Sequence, residues 1–306
     1  MRYATKLQTS WDWRAAANFM FGGGGGALLL AAALVESTSP ARHVSTLVGM
    51  LLMGAGLAMV WLELGRPWRA ANVMLKPQNS WMTREAYMAG LAFLLAAGSM
   101  MAGWPWLVIA AGLTGAAFLY CQARILHAAK GIPAWREPSL VWLIIATGLT
   151  EGAALLLLIL TVMSETSAHL SVLPPMLALR FVTWQIYRNR LLAAEPPAPV
   201  IAALPTLGLR FISVGHALPL LLIAAGYFLP SLGLPAAAAA SLCALLTGWD
   251  MKFALITRLA HAQGYGLGRL KRGHPLRLGG HQTVCEASTR LRKTRETGMT
   301  NNRSTT

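Results

Sequence analysis

Charged residues are scarce in this sequence. Only 12% of its 306 residues are Asp, Glu, Lys or Arg, which is about half the share found in an ordinary soluble domain. Long blocks of Leu, Ala, Gly, Val and Met stand in place of the missing charges, and blocks of about 20 apolar residues are typical of membrane-spanning helices. The composition therefore excludes a soluble globular protein and predicts an integral membrane protein.

Cysteine is scarce as well. The chain has three cysteines, Cys121, Cys243 and Cys285, and no two of them are close enough in sequence to form a CxxC pair. Iron–sulfur clusters and structural zinc sites are commonly built on such pairs. We therefore expect neither a metal site nor a covalently bound cofactor in this chain.

Eight apolar blocks predict an all-α bundle of eight transmembrane helices. The predicted spans are residues 15–35, 44–64, 85–103, 105–126, 139–163, 170–188, 209–230 and 235–258. Residues 1–260 would form this transmembrane domain. Residues 261–306 turn polar and basic, and are predicted to be a disordered tail.

The distribution of basic residues predicts how the chain is oriented. The net charge of +15 comes from 26 Lys and Arg against 11 Asp and Glu. All but Arg42, Arg180 and Lys252 lie in the terminal segments, in alternate loops or at the span ends next to them, on one predicted side of the membrane. Basic loops are retained in the cytoplasm, so both termini are predicted to lie there, in a bacterial cytoplasmic membrane. This placement also explains the charge without nucleic-acid binding.

Five consecutive glycines, Gly22 to Gly26, fall within the first predicted span. Small residues let helix backbones approach closely inside a bilayer. The run therefore predicts tight packing of this helix against its neighbours.

A few charged residues fall inside the predicted spans, where an ionised side chain is costly. Arg180 and Asp250 are predicted to form a structural ion pair. Glu151 has no cation near it in the sequence, and two interpretations stay open. It either belongs to a proton path or packs against a hydroxyl such as that of Thr147.

The densest polar cluster follows the second span. Glu63 lies in the last turn of that span, and Arg66 and Arg69 come directly after it. Trp81 and Arg84 end the same loop, next to Glu85 at the start of the third span. A carboxylate, guanidinium groups and indoles at the mouth of a bundle suit a pocket for a lipid-soluble redox ring. The same residues equally suit simple anchoring at the membrane surface.

A resemblance to a known family favours the redox interpretation. The segments ELGRPWR at 63–69 and SWMTRE at 80–85 resemble the signature H-L-G-x-P-x-R … S-x-L-S-R-E of the membrane-anchor subunit of dimethyl sulfoxide reductase, the DmsC family. More distantly, the chain is similar to the NrfD/PsrC group of polysulfide reductases. The resemblance implies a non-catalytic subunit of a respiratory oxidoreductase. Such a subunit anchors a molybdopterin catalytic subunit and a ferredoxin-like iron–sulfur subunit, and passes electrons between the nearest cluster and menaquinone or ubiquinone.

The resemblance also implies roles for individual residues. Glu63 occupies the position of a family histidine that is associated with quinol binding, so here a carboxylate would exchange the quinone's proton. Arg66 and Arg69 would complete the quinone site. Trp81, Arg84 and Glu85 would dock the partner subunit or brace the loop. In the predicted orientation this loop is cytoplasmic, as in the anchors of sulfite dehydrogenase or phenylacetyl-CoA oxidoreductase, which reduce quinone.

Another class of function stays open from the residues alone. Eight spans around a buried carboxylate, Glu151, also suit a proton-coupled small-molecule transporter. A transporter would need no partner subunits, whereas an anchor subunit has no function without them.

Overall fold

The computed structural model describes residues 3–63, 74, 77–164 and 171–265, and most of these residues are helical. Eight long helices follow one another, and each contains most of one predicted apolar block. They are α1 (Trp13–Ala32), α2 (Pro40–Glu63), α3 (Trp81–Ala102), α4 (Pro105–Ala128), α5 (Ser139–Val162), α6 (Leu173–Ala193), α7 (Ala198–Phe228) and α8 (Gly233–Thr257). A single helical turn, Pro133–Arg136, precedes α5, and a 3₁₀ turn, Pro230–Leu232, precedes α8.

The architecture is that of an all-α, multi-pass membrane protein. Within the described ranges, seven helices are long and apolar enough to cross a bilayer. The remaining long helix, α6, carries Arg180, Arg188 and Arg190 within 21 residues and is the least apolar of the set. Helix α7 begins earlier than predicted, at Ala198, because Pro205 is accommodated inside it.

Helix α1 packs at the centre of the bundle, against α2, α4 and α5. Its glycine run allows very close approaches: a β-carbon at Gly25 would lie 2.6 Å from the carbonyl oxygen of Gly49 on α2. A β-carbon at Gly26 would lie 2.7 Å from the carbonyl oxygen of Gly115 on α4. Real β-carbons do not come so close to backbone atoms, so these helices meet only because glycine is present. The predicted tight packing is confirmed.

The segment before α1 and the segment after α8 pair in a small antiparallel sheet that the sequence analysis did not predict. Strand β1 (Tyr3–Leu7) pairs with β2 (His261–Tyr265), with Tyr3 opposite Tyr265 and Leu7 opposite His261. The backbone of Gln8 extends the pairing by donating to the carbonyl oxygen of Ala260 at 2.9 Å. Residues 261–265, predicted to be part of a polar tail, therefore form a strand. The rest of that tail, 266–306, lies outside the described residues.

Candidate functional site

A cavity of about 240 Å³ opens between the ends of α1, α2, α3 and α4. Its walls are mostly apolar, with two carboxyl groups and an amide among them. The residues that line it are Ser10, Trp11, Ala15, Asn18, Phe19, Val60, Glu63, Met82, Glu85 and Ile125. An apolar pocket with a few convergent polar groups is the usual form of a site for a ring-shaped organic ligand.

Capping interactions fix the helix ends that form this cavity. Ser80 caps α3 by accepting a hydrogen bond from the Thr83 backbone at 3.3 Å, which orients the first turn that carries Glu85. Asp12 caps α1 by accepting from the Arg14 backbone at 2.8 Å. Arg14 in turn donates to the carbonyl oxygen of Leu62 at 3.0 Å, beside Glu63. Hydrogen bonds from Arg14 also hold the pKa of the Asp12 carboxyl below its ordinary value.

The two cavity carboxyl groups have different surroundings. Glu63 is the last residue of α2 and is half-buried. Glu85 is only 6% exposed and accepts a hydrogen bond from Asn18 Nδ2 at 3.3 Å. Gln122 on α4 donates to the Asn18 carbonyl oxygen at 3.1 Å and also interacts with the Glu85 carboxyl group. The structure therefore brings Glu63 and Glu85 to one cavity, whereas the sequence analysis gave Glu85 the role of docking the partner or bracing the loop.

Two more residues of the predicted cluster, Trp81 and Arg84, lie in the first turn of α3. Arg84 donates to the carbonyl oxygens of Pro77 at 2.9 Å and Gln78 at 2.7 Å, and so ties the preceding segment to α3. Its guanidinium lies 4.3 Å from the ring centre of Trp81, and that of Arg124 lies 4.7 Å from the same ring. Arg66 and Arg69 fall outside the described residues.

The family model for the DMSO reductase anchor subunit (DmsC) matches residues 26–203, more than half of the chain. The chain belongs to the DmsC family. Comparison with curated proteins gave no match. The matched region includes Glu63, Glu85, Glu151 and Arg180, which confirms the family resemblance noted at residues 63–85. Two important residues of this DmsC-family bundle, Asn18 and Lys252, lie outside that region.

A second polar cluster lies at the centre of the bundle and corrects the predicted pairing of charges. Glu151 forms an ion pair with Lys252 at 2.6 Å, and both side chains are fully buried. Arg180 donates to the carbonyl oxygens of Ala244 at 2.9 Å and Gly215 at 2.5 Å instead of forming the predicted pair with Asp250. Glu151 and Lys252 are 101 residues apart in sequence, which is why no cation was evident near Glu151.

Two π-helical turns each supply one backbone acceptor for these buried cations. A π turn replaces the regular ladder of helix hydrogen bonds, so its carbonyl oxygens are available to other donors. Lys252 Nζ donates to Phe19 at 2.8 Å, within the π turn Asn18–Gly22 of α1. Arg180 donates to Gly215, within the π turn Ser213–Ala217 of α7.

Histidine 216 completes the cluster on the α7 side. Its Nε2 atom accepts from Arg180 Nε at 3.2 Å, and its Nδ1 atom lies 2.6 Å from the carbonyl oxygen of Phe211. These contacts assign the proton to Nδ1 and describe a neutral imidazole. Both ring nitrogens are therefore already occupied within the protein.

Proposed function

We propose that this chain is the quinone-interacting membrane anchor of a molybdopterin oxidoreductase complex, and that the quinone ring binds in the cavity beside Glu63 and Glu85. Family membership supports the anchoring role. The observation that carries the quinone proposal is that two carboxyl groups converge on one apolar cavity, which lies next to the matched signature. The chain itself is the non-catalytic subunit, and a molybdopterin subunit and a ferredoxin-like iron–sulfur subunit are its partners.

The two carboxyl groups fit the proton chemistry of a quinone. Reduction of a quinone to a quinol takes up two electrons and two protons, and the partner's iron–sulfur cluster supplies or receives the electrons. Glu85 is held by Asn18 inside the cavity, and the acid form of its carboxyl group donates a proton to a ring oxygen of the quinone. Glu63, at the half-exposed end of α2, exchanges protons with water at the mouth. Arg66 and Arg69 orient the ring oxygens or dock the partner.

The joined chain ends support eight membrane crossings. Strands β1 and β2 flank α1 and α8 and pair with each other, so the bundle begins and ends on one side of the membrane. A chain with that arrangement crosses the bilayer an even number of times. Helix α6, the one that falls short in hydropathy, then supplies the eighth crossing, with Arg180 inside the bundle rather than in lipid.

The orientation follows from the basic loops. Both termini and the signature segment 63–85 lie on the cytoplasmic side of a bacterial inner membrane. The surface around Trp81, Arg84 and Arg124 then faces the iron–sulfur subunit. A cytoplasm-facing complex of this kind is similar to sulfite dehydrogenase and reduces quinone.

Purification of the chain from its native membrane in a mild detergent tests the anchoring role. Two soluble partner subunits should co-purify, together with molybdenum and iron, because an anchor binds its partners stably. Mass spectrometry and metal analysis measure both. A lone, metal-free protein would contradict the anchoring role and would favour the transporter instead.

Substitution of the cavity carboxyl groups tests the quinone site. Glu85→Gln should slow quinone turnover by at least about tenfold, because an amide has no acidic proton to give to the quinone oxygen. Glu63→Gln should slow it less, since water also reaches the mouth. Both variants should keep their partners on gel filtration. Glu195→Gln changes an exposed carboxylate between α6 and α7 and is the matched control.

A further inference from the structure

A line of buried polar side chains leads from the cavity into the middle of the bundle. It starts at Glu85, continues through Asn18 and Gln122, and ends at Lys252 and Glu151. The side chains of Gln122, Lys252 and Glu151 are completely buried. Polar groups buried in a membrane are costly, and packing alone does not explain five of them in one line.

One gap in this line, the step between Gln122 and Lys252, lies beside Gly23. A β-carbon at this position would lie 2.9 Å from Lys252 Nζ and 3.0 Å from Gln122 Oε1. Because Lys252 Nζ and Gln122 Oε1 both lie this close to the same β-carbon position, the distance between them is at most the length of two hydrogen bonds. A single water molecule can bridge such a distance. Gln122 Oε1 has no hydrogen-bond partner within the described residues. The absence of a side chain at Gly23 thus leaves this step passable.

Gly248 likewise leaves space beside the Glu151 carboxyl group, on the side that faces Arg180. A β-carbon there would lie 2.8 Å from Glu151 Oε1 and 3.3 Å from Arg180 Nη1. The guanidinium of Arg180 is therefore a near neighbour of the ion pair. Glu151, Lys252 and Arg180 together carry one negative and two positive charges when all are ionised. Arginine keeps its proton in proteins, so the surplus positive charge favours release of a proton from Lys252.

Beyond Glu151 and Arg180, the described residues of the far half of the bundle, between α1, α5, α6 and α8, are mostly apolar. Those that are at most 1% exposed include Leu28, Leu156, Leu160, Leu173 and Leu177. A continuous apolar layer of this kind excludes water and protons. The line therefore serves the cavity and is not a route across the membrane.

The geometry points to a buried proton reserve: the Glu151–Lys252 pair exchanges a proton with the cavity by way of Gln122 and Glu85. This inference rests on the proposed quinone function. When Glu85 gives its proton to a quinone oxygen, the O–H bond of its acid form breaks and a carboxylate remains. Lys252 then loses one N–H proton, which crosses the step at Gly23 through a water molecule and binds to Gln122 Oε1. Gln122 releases a different proton from Nε2 to the Glu85 carboxylate, which restores the acid form of Glu85. The amide returns to its ordinary form when a proton later passes back along the line.

The charges balance at each stage of this exchange. Lys252 becomes a neutral amine, and the Glu151 carboxylate is left opposite the Arg180 guanidinium, one negative charge against one positive. The electrons come from the partner's iron–sulfur cluster. Water at the cavity mouth later returns a proton along the same line. For quinol oxidation every step runs in reverse.

Substitution at the open step separates this role from simple packing. Gly23→Ala puts a methyl group between Lys252 and Gln122, and the atoms it meets are the ends of flexible side chains, so the fold survives. Gly24→Ala is the matched control on the same helix, because its nearest atom is Glu151 Oε2 at 3.4 Å, an ordinary contact. A second test variant, Glu151→Gln/Lys252→Met, removes both titratable groups and leaves neither partner charge unpaired.

The experiment uses the intact complex, reduced in advance and mixed with decylubiquinone in H₂O and in D₂O. Reoxidation of the iron–sulfur clusters is followed by stopped flow, and the Kd of decylubiquinone is measured separately. Gly23→Ala and the double variant should reoxidise at least about tenfold more slowly, with a larger solvent isotope effect and an unchanged Kd, because proton delivery becomes limiting. Gly24→Ala should match the natural protein.

Two results would overturn the reserve, and they are distinguishable. If both test variants keep the natural rate and isotope effect while Kd is unchanged, the quinone site stands and the reserve does not exist. If decylubiquinone does not bind the natural complex, the proposed quinone function fails and the reserve fails with it.

Discussion

Replacement of Gly26 by leucine should abolish the folded protein. The β-carbon alone would lie 2.7 Å from the carbonyl oxygen of Gly115, a backbone atom that moves only if α1 and α4 separate. Close-packed interiors do not absorb such a displacement. Overpacking by a few methylene groups already costs about 1–3 kcal/mol, and a leucine at the central helix adds four carbon atoms against backbone.

The measurement is gel filtration of a fluorescent fusion from detergent extracts, which reports folded, monodisperse protein. Gly90→Leu is the control, since no atom lies within 4 Å of a β-carbon at this exposed position of α3. It makes the same change of residue type in a membrane helix and should behave like the natural protein. A normal peak for Gly26→Leu would contradict the close contact of α1 with α4.

Breaking the central ion pair from one side should be nearly as damaging. Lys252→Met leaves the fully buried Glu151 carboxylate without its contact partner at 2.6 Å, so that only the more distant Arg180 guanidinium offsets its charge. Removal of one member of a buried pair typically costs about 3–5 kcal/mol, because the remaining charge is desolvated and uncompensated. Replacement of both members by uncharged side chains of similar volume is often close to neutral. The double variant Glu151→Gln/Lys252→Met should therefore recover most of the loss.

Thermal unfolding of the two single variants and the double variant in detergent forms a double-mutant cycle that measures this coupling. We expect a large Tm loss for Lys252→Met and a Tm near that of the natural protein for the double variant. Asp250→Asn is a useful companion, because this half-buried neighbour on α8 was predicted to pair with Arg180 and does not. If losses in the single variants simply add in the double variant, the two side chains do not interact.

The helices were predictable from the sequence because each is a long apolar block, a signal that depends on local composition alone. The glycine run likewise predicted close helix contacts, and Gly25 and Gly26 make them. The β1–β2 pairing was not predictable, because Tyr3 and Tyr265 are far apart in the sequence. In addition, strands of five residues carry too short a pattern to be recognised.

The site residues were predictable only in part. The signature segment predicted that Glu63 and Glu85 belong to the site. It did not predict where their side chains point, because that depends on how each helix is rotated. Glu85 was therefore predicted to dock the partner or brace the loop, whereas it faces inward to Asn18. The partner of Glu151 was missed for a related reason. Lys252 meets it only after α5 and α8 pack together, and no local pattern records that contact.

Photoaffinity labelling tests the quinone site most directly. An azido-quinone is added to the intact complex, illuminated, and the labelled peptides of this chain are mapped by mass spectrometry. The label should appear on the segments that line the cavity, around Trp11 to Phe19, Val60 to Glu63 and Met82 to Glu85, and unlabelled quinone should compete it away. Competed labelling confined to parts of this chain other than residues 11–19 and 60–85, or to the partner subunits, would contradict a quinone site beside Glu63 and Glu85.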